Sequence, residues 1–110
     1  MLILLADDHS LVRDGLKHTL ADLSPEIDFI EAATAEDVIQ GLTGDTTVDL
    51  VLLDLIMPGS NGFELLTQVC NEHPELTVVI LSGSADPSQM RKALDIGAAG
   101  FITLTSIICV

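Results

Sequence analysis

The sequence predicts an α/β domain of three layers, a doubly wound parallel sheet of five strands with helices on its faces. Three observations predict it. Short apolar runs of strand length alternate with stretches of helical periodicity along the whole chain. The links between successive runs are of crossover length, so neighbouring strands run parallel. The third run, Leu50-Val51-Leu52-Leu53, is apolar without interruption, as a central strand covered on both faces requires. The chain of 110 residues is 48% hydrophobic and 19% charged, which suits one compact domain over 1–110 with a substantial core.

In order, residues 2–6 form the first apolar run, and Ser10 is a candidate cap for a helix that aligns Val12, Leu16 and Leu20. Residues 27–33 form the second strand. Thr34-Ala35-Glu36-Asp37 resembles a capping box opening a helix with Val38, Ile39 and Leu42 inward. The third strand ends abruptly at Asp54. The turn residues Met57-Pro58-Gly59-Ser60-Asn61-Gly62 follow, and Phe63, Leu66, Val69 and Cys70 then recur at helical spacing up to Pro74. Residues 77–81 form the fourth strand. Asp86-Pro87 starts a helix with Met90, Ala93 and Leu94 inward, and Gly97 stops it. Residues 100–104 form the fifth strand. The remainder, Thr105-Ser106-Ile107-Ile108-Cys109-Val110, does not read as an amphipathic helix, so the final helix of such a fold is expected to be absent.

Charge narrows the function classes. Asp and Glu number 17 against 4 Lys and Arg, a formal net charge of -13. A surface this acidic repels phosphate backbones and anionic headgroups, so direct nucleic-acid binding is not expected. The first apolar run has no basic flank and stops at Asp7-Asp8, too soon for a signal sequence. The uncharged stretch 96–110 falls short of the roughly 20 residues that span a bilayer, so no membrane role is expected. Cys70 and Cys109 lack metal or redox spacing and suit a reducing, cytoplasmic setting.

Three acids fall where such a sheet builds its site: Asp7 and Asp8 after the first strand and Asp54 at the end of the third. In the flavodoxin-like strand order 2-1-3-4-5 these strands are neighbours at the topological switch point. Crowded carboxylates raise one another's pKa and call for a cation, and a set of oxygen ligands points to Mg2+. Taken singly, Asp7 or Asp8 could cap a helix and Asp54 could end a strand. Ser82, ending Leu81-Ser82-Gly83-Ser84 on the same edge, could donate to a bound phosphoryl oxygen or simply form a turn. His9, His18 and His73 are scattered without ligand spacing, so a zinc site is not expected, although His9 stands beside the acid pair.

These residues resemble the receiver domains of two-component response regulators. The resemblance rests on Leu5-Ala6-Asp7-Asp8-His9, Leu52-Leu53-Asp54-Leu55-Ile56-Met57-Pro58-Gly59, Leu81-Ser82-Gly83 and Gly97-Ala98-Ala99-Gly100-Phe101-Ile102, and is similar in flavour to receivers that precede a helix-turn-helix output domain. It implies a phospho-acceptor at Asp54, taking its phosphoryl group from a sensor histidine kinase. It also implies Mg2+ held by Asp7, Asp8, Asp54 and the backbone carbonyl of Ile56. Ser82 then bonds the phosphoryl group and Phe101 takes the aromatic switch position. The family lysine beyond that aromatic is replaced by Leu104, and the chain departs from the pattern after about 104. A truncated or altered end accounts for that departure and leaves an apolar flank beside the fifth strand that favours a homodimer.

Three other readings compete. A degenerate receiver acting by protein contacts without phosphorylation is favoured by Leu104. An aspartate-nucleophile phosphatase needs a second acid two residues on, which Asp54-Leu55-Ile56 lacks. A flavin carrier is disfavoured by the lack of Trp and Tyr and of a phosphate-cradling loop after the first strand. Ser82 lacks the surroundings of a hydrolase nucleophile. Apart from phosphoryl acceptance and slow self-hydrolysis, no enzyme activity is expected.

Overall fold

A computed structural model describes residues 1–44, 47–55, 63–83 and 86–103. Its elements run β1 (Leu2–Ala6), α1 (Ser10–Leu23), β2 (Asp28–Ala32), α2 (Ala35–Thr43), β3 (Leu50–Asp54), α3 (Phe63–Glu72), β4 (Thr77–Ser82), α4 (Pro87–Ile96) and β5 (Gly100–Thr103). All strand pairs are parallel, in the order β2-β1-β3-β4-β5. The order follows from burial: β1, β3 and β4 have the most continuous apolar runs and take the centre, whereas β2 (DFIEA) and the short β5 take the edges.

Two cores lie on opposite faces of the sheet. Under α2, α3 and α4, Val38, Leu66, Val69 and Ala93 pack on Leu4, Val51, Leu53, Val78 and Ile80. On the other face Leu16 of α1 packs on Ile3, Leu5, Leu52 and Leu81. Among the described residues α1 is the helix that covers this second face, and Val79 of β4 and Ile102 of β5 remain half-buried there.

Several helix ends depart from the expected chemistry. Ser10 does not cap α1: it is the first helical residue, and His9 is the cap position, with no side-chain cap bond. At α2 the Thr34 hydroxyl accepts from the Asp37 amide, but the Asp37 carboxylate reaches the amide of Ala33, one residue further back than a reciprocal capping box would place it. Asp86 caps α4, accepting from the amide and hydroxyl of Ser88, and Pro87 occupies the first turn, where no amide is needed. Gly97 closes that helix at φ 137, a left-handed conformation suited to glycine. Leu94, expected inward, is 50% exposed, and Ile96 packs on the core instead; in α3 Leu65 is buried beside the expected Leu66 and Val69. The shifts are of one or two helical positions, because the sheet's twist decides which part of a broad apolar stripe faces in.

Candidate functional site

The site forms at the carboxyl ends of β1, β3 and β4. Ala6 pairs with Leu53, so the residue after β1, Asp7, lies beside Asp54, the last residue of β3. Asp54 pairs with Leu81, which puts Ser82 one step further along the same edge, opposite Thr103 of β5. Asp7 is fully buried, and Asp54 and Ser82 are 9% and 8% exposed. Carboxylate oxygens of Asp7, Asp8 and Asp54 and a ring nitrogen of His9 all lie within 4.8 Å of one another. The acids read from the sequence as converging do converge.

The Asp7 backbone is held from several sides. Its amide donates to the Ala32 carbonyl of β2 at 3.0 Å, and its carbonyl accepts from the Arg13 guanidinium of α1. One of its carboxylate oxygens, Oδ1, accepts from the His9 amide at 2.8 Å and lies 3.0 Å from His9 Nδ1. The same ring nitrogen is 3.0 Å from Asp8 Oδ1. The Asp7 hydrogen bond, followed by the charge of Asp8, raises the His9 imidazole above its ordinary pKa.

Arg13 and Glu31 are contributors that the sequence did not mark out. Arg13 Nε pairs with Glu31 Oε1 at 3.0 Å while its other arm holds the Asp7 carbonyl, and Lys17 Nζ meets Glu31 Oε2 at 3.0 Å. The two cations, Lys17 first, hold the Glu31 carboxyl below its usual range. This pair ties α1 to β2 beneath the acid cluster. The arginine four residues after His9 falls one helical turn on and its amide donates to the His9 carbonyl, the one local signal that could have found it.

The donor set fits a divalent cation. Among the described residues, Asp7 Oδ2 is buried without a hydrogen-bond partner. A buried carboxylate oxygen left without a donor costs free energy that a bound cation offsets. Three acids with oxygen donors are the ligand class of a hard ion such as Mg2+. Ile56 and Leu104, named from the sequence, lie outside the described residues, as do Met57 to Ser60 and Cys109. Phe101 of β5 is half-buried and packs against the α2–α4 core. Burial raises the pKa of the Cys70 thiol, in keeping with a packing role. No helix among the described residues is long and apolar enough to cross a membrane.

Comparison with known proteins agrees with this geometry. The chain is 40% identical over 105 residues to the glycerol metabolism activator of Pseudomonas putida, covering 94% of this chain and 47% of that protein. It is 31% identical over 105 residues to the transcriptional regulatory protein LiaR of Bacillus subtilis (strain 168), covering 94% and 49%. The chain thus spans about half the length of these curated relatives. Among solved structures, the receiver domain of NtrX from Brucella abortus superposes with a TM-score of 0.81 at 32% identity, covering 92% of this chain and 83% of that one. RcsB of Salmonella typhimurium shares the fold, with a TM-score of 0.89 at 22% identity, covering 97% and 53%. Residues 3–104 match the family described as the response regulator receiver domain, and with the acid cluster at its switch point the chain belongs to that family, the receivers of two-component response regulators.

Proposed function

We propose that this receiver domain accepts a phosphoryl group on Asp54 from the phosphohistidine of a sensor histidine kinase. An Asp54 carboxylate oxygen attacks phosphorus, the bond to the imidazole nitrogen of the donor breaks, and an aspartyl phosphate forms while the kinase imidazole leaves. Asp7, Asp8 and Asp54, with the carbonyl of Ile56, hold Mg2+. When bound, the ion neutralises part of the charge that gathers as a dianion approaches three acids. The Ser82 hydroxyl donates to a phosphoryl oxygen, and Phe101 moves inward as the segment after β4 closes, so that one new dianion shifts a conformational equilibrium.

The observation that carries this reading is the meeting of Asp7, Asp8 and Asp54 within 4.8 Å at one sheet edge. Ser82 on the neighbouring strand and the match over residues 3–104 support it. Leu104 stands where the family has a lysine, which removes one charge partner of the phosphoryl group and slows both labelling and its transmission. That same residue favours the second reading, a receiver that works through protein contacts alone. The domain spans 1–110, with a departure from the family pattern after about 104. It acts in the cytoplasm, self-dephosphorylates slowly, makes no direct nucleic-acid contact and associates through the edge of β5.

Incubation with Mg2+ and acetyl phosphate tests the reading. Wild type acquires an acid-stable, base-labile phosphoryl group slowly, Leu104→Lys faster, and Asp54→Asn not at all. Labelling that persists in Asp54→Asn overturns the acceptor assignment, and none in wild type or Leu104→Lys leaves the contact-only reading. A purely monomeric sedimentation profile at high concentration removes the association.

A further inference from the structure

His9 adds to the site a donor of a different chemical kind. Its backbone amide bonds Asp7 Oδ1 at 2.8 Å, which turns the chain back so that the ring lies over the acid pair it follows. Nδ1 then stands 3.0 Å from Asp7 Oδ1 and 3.0 Å from Asp8 Oδ1. Two donors about 3.0 Å apart share an ion at about 2.1 Å from each with a bond angle near a right angle, within the range of zinc–nitrogen and zinc–oxygen bonds. The ring is 68% exposed, so it is free to adjust by the few tenths of an ångström that a four-coordinate ion asks. The second, independent observation is Asp7 Oδ2, buried without a partner in the same cluster.

We propose that His9 completes a mixed imidazole–carboxylate site, with Asp7, Asp8 and Asp54, that binds Zn2+ or a similar imidazole-seeking transition-metal ion more tightly than Mg2+. The inference concerns the imidazole, and it rests on reading the three acids as metal-holding. The chemistry is one of ligand type. Mg2+ prefers oxygen donors and keeps several waters, so an imidazole adds little to its affinity. Zn2+ gains from a nitrogen ligand and lies near the top of the affinity order for nitrogen and oxygen sites. Occupation by Zn2+ fills the position that phosphoryl acceptance requires for Mg2+, which makes excess zinc an inhibitor of labelling at Asp54.

Calorimetric titration of wild type, His9→Phe and His73→Ala with ZnCl2 and separately with MgCl2 tests the proposal. Replacing even an outer-shell partner of a metal ligand costs about 10- to 100-fold in affinity, so loss of the imidazole itself should weaken Zn2+ binding at least about tenfold. The expectation is that loss in His9→Phe, an Mg2+ affinity within about twofold of wild type, and no change of either in His73→Ala. In 15N NMR the His9 Nδ1 resonance takes the shift of a metal-bound ring nitrogen on adding Zn2+, whereas Mg2+, which neutralises the carboxylates that Nδ1 faces, moves it without that signature. Equal loss of both ions in His9→Phe, unchanged Zn2+ affinity, loss in His73→Ala instead, or a His9 resonance without that signature in Zn2+ each overturns it. In those cases His9 acts as a charge partner of the acids or not at all. Mg2+-dependent labelling of Asp54 that survives in His9→Phe shows that the receiver reading stands while the imidazole inference falls.

Discussion

Replacing Asp54 by Asn should have opposite effects on stability with and without Mg2+. In the metal-free protein Asp54 lies within 4.8 Å of the ligand oxygens of both Asp7 and Asp8. At that separation each like-charge pair costs about 3.5 kcal/mol at an effective dielectric near 20 and about 0.9 in bulk water. Asp7 is fully buried and Asp8 is one-third exposed, so the first pair falls toward the upper figure and the second toward the lower. The neighbouring His9 imidazole offsets part of the repulsion. A net gain of about 1–3 kcal/mol for Asp54→Asn is left, which for a domain of this size raises Tm by about 4–12 °C. Asn keeps the size and a hydrogen-bonding side chain, so packing changes little. With Mg2+ at a hundredfold excess over its Kd, wild type gains about 2.7 kcal/mol by linkage and the variant, missing a ligand, gains far less. Far-UV circular dichroism melts in EDTA and in Mg2+ read both arms without needing the Trp and Tyr that the chain lacks. A metal-free variant no more stable than wild type, or equal stabilisation of both proteins by Mg2+, refutes the electrostatic account of the site.

Three further outcomes follow from the packing and charge around that cluster. Leu53→Ala, at a fully buried position of β3 one residue before Asp54, should cost about 2–5 kcal/mol in urea denaturation, and a smaller loss would mean that the core under α2–α4 collapses around the gap. Glu31→Gln should lower stability near neutral pH by under about 1 kcal/mol, because the pair is partly exposed. Since the folded pKa of Glu31 lies below its unfolded value, its contribution is present above the ordinary glutamate range and is lost as pH falls through the folded value; the two proteins should therefore converge in acid, and a constant offset down to the acid transition would exclude the ion pair as the cause. Gly97→Ala should destabilise by about 1–3 kcal/mol, since φ 137 disfavours a side chain and a Cβ there would lie 3.2 Å from Cys70 Sγ; equal melting temperatures would show that the turn relaxes.

The alternation of strand and helix, the abrupt ends of the first and third apolar runs and the cap at Asp86-Pro87 were legible in the chain itself. Period, turn residues and capping are set by neighbours within a few positions, where backbone sterics and local hydrogen bonds act. The placing of acids at strand ends was legible too, because any parallel sheet sends its carboxyl edges to one side. What the three-dimensional arrangement decided was which distant groups meet. Residues 7 and 54 were expected from the sequence to converge, and the pairing of Ala6 with Leu53 sets their register, which depends on burying the most apolar strands at the centre. The meeting of Arg13 with Glu31 depends on α1 lying across β2, and the exposure of Leu94 depends on how the sheet's twist phases α4. His9 is the intermediate case: its position beside the acids is sequence, but its ring reaches both carboxylates only because the amide that follows Asp8 folds back onto Asp7. Contacts between distant groups, such as Arg13 with Glu31, arise from packing the whole chain, and no local pattern of residue types encodes them.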